Sequence, residues 1–190
     1  MKKSKKEAAE TRQRIVKTAA AEFKRNGING TGLSDLMAAA GLTHGGFYRH
    51  FDSKDQLVAE SCAAAVDSMV ESFTSALSRK TKRSGLEAIA ASYLSKEHRD
   101  DPPGGCPFVA LGSELVRSDD TTRSIATDGF LKLVDIVAAQ FNRTRPDVAK
   151  ARALVALSTM IGAVTISRMV TDPELSATIL RQTEKHLTEA

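Results

Sequence analysis

From Thr43 to Phe51 the chain reads Thr-His-Gly-Gly-Phe-Tyr-Arg-His-Phe. A hydroxyl, two imidazoles, a phenol and a guanidinium crowd round two adjacent glycines, and each of these groups can donate a hydrogen bond to a phosphate oxygen. A glycine costs a helix interior roughly 1 kcal/mol relative to alanine. The pair Gly45-Gly46 therefore implies that something approaches this backbone too closely for side chains. Other chemistries find no support. His44 and His50 are six apart and do not share a helical face, and Cys62 and Cys106 have neither CxxC spacing nor a histidine cluster, so no metal site is expected. No nucleophile–base pairing appears, and Gly-Ile-Asn-Gly-Thr-Gly at 27–32 follows no strand, so neither an enzyme nor a dinucleotide site is indicated. No cofactor is called for.

The elements that must carry these residues read as helices throughout, because apolar residues recur at steps of three and four. Ile15, Ala19 and Phe23 stripe a first helix that Asn26-Gly27 ends. Thr31 is placed to cap a second, running to about Ala40 with Leu33, Leu36 and Met37 inward, and Gly41 stops it. Thr43 then caps a third of about two turns, closing near Phe51. Two helices joined by a tight glycine turn form a helix-turn-helix, whose second helix lies in the DNA major groove. A long helix is expected over 54–78, another over 84–98, and the run Asp-Asp-Pro-Pro-Gly-Gly-Cys-Pro breaks the chain before a start near Pro107. Further helices are expected over 119–141, 147–170 and from Pro173. The fold class is thus all-α: a three-helix head over 1–53, with a flexible basic tail at 1–8, then about six helices over 54–190.

Charge separates these two parts. Residues 1–54 hold eleven Lys and Arg against five Asp and Glu, and the remainder sixteen against eighteen, so a basic head sits on a mildly acidic body. That balance suits a head that meets phosphate.

The stretch from Gly27 to Val58 resembles the DNA-binding head of the TetR family of transcriptional regulators. The likeness rests on the lead-in Arg-Ile-Val-Lys-Thr-Ala-Ala-Ala-Glu-Phe-Lys-Arg-Asn-Gly, then on Thr31, Leu36, Gly41, Leu42, Thr43 and Gly45. It continues through Phe47-Tyr48, His50-Phe51, Ser53-Lys54 and Leu57, covering about 12–58. The resemblance implies phosphate contacts at Thr31, Thr43, Tyr48, His50 and Lys54. It places Ser34, His44, Gly45, Gly46 and Arg49 toward base edges, where an arginine can take a guanine through O6 and N7. Phe47 and Phe51 are expected to hold the third helix on the first. Gly32 and Gly46 depart from the family's usual residues at those positions.

The same resemblance implies a repressor that binds a near-palindromic DNA operator as a homodimer and is released by a small-molecule effector. The segment 151–170 is apolar on nearly every side, so a partner chain is expected to cover part of it, through Ala156, Met160, Gly162, Ala163 and Ile166. Met69, Phe73, Tyr93, Phe108 and Phe130 are candidates to line an effector pocket. Cys106 stands at a helix start, where the dipole lowers a thiol pKa, so a thiol sensor of electrophiles or oxidants is the alternative reading. Cys62 lies on an apolar stripe and is expected to be buried and inert. The basic start lacks the apolar run of a secretory signal, and no unbroken run of about 20 apolar residues appears, so a cytoplasmic protein without a membrane partner is expected.

Overall fold

In the computed structural model, which describes residues 5–80, 82–142 and 144–189, every regular element among the described residues is helical. Helix α1 spans Lys5–Asn26 and α2 Leu33–Ala39. Glycine follows each, with φ of 80° at Gly27 and 71° at Gly41. That left-handed backbone costs a residue with a Cβ about 1–2 kcal/mol, so these two glycines are chain-reversing stops. A six-residue 3-10 turn, His44–Arg49, comes next, and Ser53 caps α3, Lys54–Ser78, by accepting from the Gln56 N–H at 3.0 Å. The body continues with α4 (Gly85–Tyr93), α5 (Lys96–Asp100), α6 (Pro107–Leu115), α7 (Asp120–Ala138), α8 (Pro146–Met169) and α9 (Pro173–Glu189).

Four details differ from the expectations. Residues 5–8 of the expected flexible tail belong to α1, while residues 1–4 lie outside the described residues. Neither threonine caps its helix: the N-cap of α2 is Gly32, and Thr43 precedes the 3-10 turn without a side-chain cap bond. The third element is also tighter than the α-helix expected there. Finally, the helix expected over 84–98 is broken, because Ser95 accepts from the His98 N–H at 3.1 Å and starts a new helix.

Two apolar cores run together. The first gathers Ile15, Phe23, Leu36, Phe47, Phe51 and Leu57, and it includes Leu111 and Leu115 of α6. The second gathers Met69, Phe73, Tyr93, Leu133, Leu157 and Met160. Helix α3 contributes to both, and Phe108 packs against both. The boundary expected at 53/54 is therefore no gap in the packing: head and body share α3 and α6.

Helix α8 is long and apolar enough, by length and composition, to cross a membrane. Its packing accounts for part of that character. Ala153, Ala156, Leu157, Met160, Ala163 and Val164 are buried against the chain's own core. Ala156, Met160 and Ala163, expected at a partner interface, therefore face inward. The apolar face left outside carries Val148, Leu154, Val155, Ile166 and Met169, with Val155 65% and Met169 72% exposed.

The positive φ at Gly41 gives a clean test, because a Cβ there would meet nothing within 4 Å. Gly41→Ala is expected to lower the unfolding free energy, measured in urea, by about 1–2 kcal/mol through backbone strain alone.

Candidate nucleic-acid interface

The 3-10 turn is built round one inward side chain. Phe47 is fully buried, stacks on Phe51 at 5.5 Å between centroids, and meets Tyr48 edge-on at 5.1 Å. The Gly46 N–H donates to the Thr43 carbonyl and the His50 N–H to the Phe47 carbonyl, closing the turn. With Phe47 inward, Thr43, His44, Gly45, Tyr48 and Arg49 are all exposed on one short segment. Ser34 of α2 joins them through a 3.2 Å hydrogen bond between its Oγ and His44 Nδ1. Four of the five residues expected to face bases thus lie exposed together, and Gly46 is half-buried behind them.

Neither glycine of the pair has a positive φ. A Cβ on Gly45 would meet nothing within 4 Å, and one on Gly46 only ordinary contacts, Met37 Cε at 3.6 Å and Thr43 Oγ1 at 3.9 Å. The protein's own backbone and packing therefore do not require glycine at either position. The bare main chain faces outward.

The expected phosphate contacts divide. Tyr48 is 66% exposed and Thr43 is exposed, while His50 is half-buried at the end of the turn, its carbonyl accepting from Arg12. Thr31 leaves the set of donors. Its hydroxyl is buried and donates to the Gly27 carbonyl at 2.7 Å, so its one proton is committed inside the protein. Lys54 has a structural task as well: its ammonium donates to the Ile28 and Thr31 carbonyls at 2.6 and 2.8 Å, fastening the α1–α2 loop to the start of α3. One of its three N–H groups remains for an outside acceptor.

The body's candidates separate too. Met69, Phe73 and Tyr93 line a cleft of about 240 Å3 together with His98, Asp101 and Gly104. Phe108 and Phe130 instead form their own edge-to-face pair, 5.7 Å apart, so the five aromatic and sulfur side chains do not share one pocket. The Tyr93 hydroxyl is buried without a hydrogen-bond partner. Cys106 is fully buried beside it, and burial pushes its thiol pKa up. The first-turn amides of Phe108 and Val109 and the Lys24 ammonium oppose that rise without overcoming it. The expected helix-start thiolate is therefore offset by desolvation. Cys62 is buried as expected, its thiol pushed up to about 11 by the same cause.

Three functional groups escaped the sequence reading, and all join distant segments. Glu114, near the end of α6, accepts from the Ile28 and Asn29 N–H groups at 3.0 and 2.9 Å. Lys24 of α1 is buried and donates to the Gly105 carbonyl at 3.0 Å, just before α6 begins. Arg168 of α8 donates to the His98 and Arg99 carbonyls, both at 2.8 Å. Burial lowers the pKa of Lys24 and of Arg168. Lys24 had a signal, since it continues the buried row Val16–Ala20 at a spacing of four. The other two contacts span 69 to 86 residues and leave no local trace.

The described residues form no regular element but helices, and α2, the Gly41 turn and the 3-10 turn packed on α2 have the layout of a helix-turn-helix. Residues 15–61 match the family described as bacterial regulatory proteins, tetR family. A TetR transcriptional regulator from Chloroflexus aurantiacus, known from its crystal structure, superposes with a TM-score of 0.76 at 30% identity, covering 97% of this chain and 95% of that one. An uncharacterised HTH-type transcriptional regulator of Mycobacterium tuberculosis is 28% identical over 172 residues, covering 85% of this chain and 86% of the relative. The probable acrEF/envCD operon repressor of Escherichia coli is 44% identical over 59 residues, a match that spans only 31% of this chain and 27% of the repressor. The chain belongs to the TetR family of bacterial regulatory proteins.

His98 supplies a pH test of the loop that joins cleft to head. Its Nδ1 lies 2.5 Å from the Tyr93 carbonyl and must carry the proton there, so Nε2 is the bare nitrogen that accepts the Cys106 N–H at 3.0 Å. Burial lowers the pKa of His98 below its ordinary 6.5. The unfolded chain therefore binds the proton first as pH falls, and stability declines below about pH 6.5. His98→Asn should flatten that part of the pH–stability curve, measured by thermal unfolding between pH 7.5 and 5.

Proposed function

We propose that this chain is a DNA-binding transcriptional repressor that acts in the cytoplasm as a homodimer on a near-palindromic operator. A small-molecule effector bound in the body releases it. The observation that carries the reading is the outward, unrequired glycine at 45, beside a hydroxyl, an imidazole and a guanidinium. A bare main chain lets bases and the sugar-phosphate wall approach, while Thr43, Tyr48 and Lys54 reach phosphates and Ser34, His44 and Arg49 reach base edges. The name of the Escherichia coli relative supports repression as the outcome.

The outer face of α8 supports the homodimer. Val148, Val155, Gly162, Ile166 and Met169 recur at steps of seven, four and three, which places them on one stripe. A Cβ on Gly162 would meet nothing within 4 Å, leaving room for a second helix to lie close. In this reading Ile166 and Gly162 line the interface, as the sequence analysis expected. Val148, Val155 and Met169 replace Ala156, Met160 and Ala163 in that role. Two copies present two turns, and half-sites about one helical turn of DNA apart match two-fold protein symmetry.

The cleft beside Tyr93 is the effector site in this reading. Its wall includes His98 and Gly104, and the same loop is held to α1 by Lys24 and to α8 by Arg168. A ligand that shifts this loop shifts α1 with it and biases the spacing of the two heads. Full burial and a raised pKa make Cys106 a weaker candidate than the cleft for receiving the signal.

Gly45→Ala is expected to leave the unfolding midpoint unchanged or higher while weakening retention on a mixed-sequence duplex pool at low salt by about tenfold or more. Equal retention of both proteins would contradict the DNA-facing assignment of the turn. Val155→Glu is expected to give a folded monomer by sedimentation and circular dichroism, because that side chain is exposed in the single chain and this reading buries it in the interface.

A further inference from the structure

Arg12 of α1 lies outside every set of contacts expected from the sequence, although it is a basic residue of the head. Its guanidinium meets three residues at once. Both terminal nitrogens donate to the Glu60 carboxylate of α3, Nη2 lying 2.6 Å from Oε1. Its Nε donates to the His50 carbonyl at 3.2 Å, and its plane lies 4.5 Å from the centre of the Phe51 ring. The chain of contacts goes further. Glu60 also accepts from Gln56 Nε2 at 3.2 Å, and Gln56 Oε1 accepts the Asp52 N–H at 2.8 Å.

These contacts converge on residues 50–52, the link between the 3-10 turn and α3. His50 ends the turn, Phe51 stacks beneath it on Phe47, and Asp52 leads to the Ser53 cap. A guanidinium fork on a carboxylate fixes orientation as well as distance, which a single ammonium does not. A guanidinium is charged at any ordinary pH, and the Glu60 hydrogen bond raises the pKa of Arg12 further. The pair is about one-third exposed. Its contribution to stability is therefore small, while its geometric constraint on the link is tight.

Resting on the DNA-binding reading above, we infer that Arg12 is a positioning residue. It sets the angle of the turn on α3 through Glu60, His50 and Phe51, and it does not itself neutralise a phosphate.

The test compares wild type, Arg12→Lys and Glu60→Gln on the duplex that wild type enriches from a random-sequence pool, across a salt series. A positioning role predicts that Arg12→Lys loses about tenfold in affinity although its charge is kept, with the salt slope unchanged. Glu60→Gln should also lose affinity, although removing an acid near DNA would by charge alone strengthen binding. The chain has two tyrosines, so labelling with 3-fluorotyrosine gives one reporter beside the turn, Tyr48, and one in the core, Tyr93. In both variants the Tyr48 resonance should move while that of Tyr93 stays. Wild-type affinity in Arg12→Lys, or a gain in Glu60→Gln, would overturn the inference, as would a stationary Tyr48 resonance. If wild type enriches no duplex, the DNA reading falls, and the fluorine resonances still decide whether Arg12 positions the turn.

Discussion

A six-residue 3-10 turn does not hold its shape in water, because isolated helices shorter than about 12–15 residues are marginal. The burial of Phe47 and Phe51 against α1 and α2 supplies what the turn lacks. Each fully buried phenylalanine contributes about 1.5–3 kcal/mol relative to an exposed one. Because Phe47 points in, its neighbours at 44, 45, 48 and 49 point out, and the exposed surface exists only as the complement of that anchor. The glycines then make sense together with the aromatics. The aromatic pair fixes the turn from inside, and Gly45 leaves its outside bare.

The same core makes head and body a continuous unit. Leu111 and Leu115 of α6 pack with Phe23, Leu36 and Phe51, and α3 runs from that core into the next. Polar contacts bracket α6 at both ends: Lys24 holds the Gly105 carbonyl before it, and Glu114 holds the Ile28 and Asn29 amides after it. These contacts tie both ends of α6 to α1 and to the loop that follows it. Lys24 is buried, and a buried charge is costly unless satisfied; the Gly105 carbonyl supplies its partner.

Legibility in the sequence followed the range of the interaction. Helix ends set by Gly27 and Gly41, the span of α3, and the inward roles of Phe23, Leu36, Phe47 and Phe51 all rest on local chemistry, and they agree with the structure. Thr31 was legible as a hydroxyl near a helix start, but not that the Gly27 carbonyl would take its proton. Periodicity cannot tell a 3-10 turn from a short α-helix over six residues. Helix α8 shows the other limit. A helix apolar all round reads as buried, yet which half faces its own core depends on α7 and α9, and the small residues Ala156 and Ala163 fit that inner side. Arg168 was not legible as the tether of the loop beside the cleft, because its partners at 98 and 99 lie about 70 residues away.

The most direct measurement is to sequence the duplexes that the purified full chain selects from a random pool. Two turns anchored by Phe47 and carried by a paired α8 predict a two-fold symmetric consensus, with half-sites about 34–36 Å apart between centres. Selection of a single asymmetric half-site, or no enrichment at low ionic strength, would contradict the account.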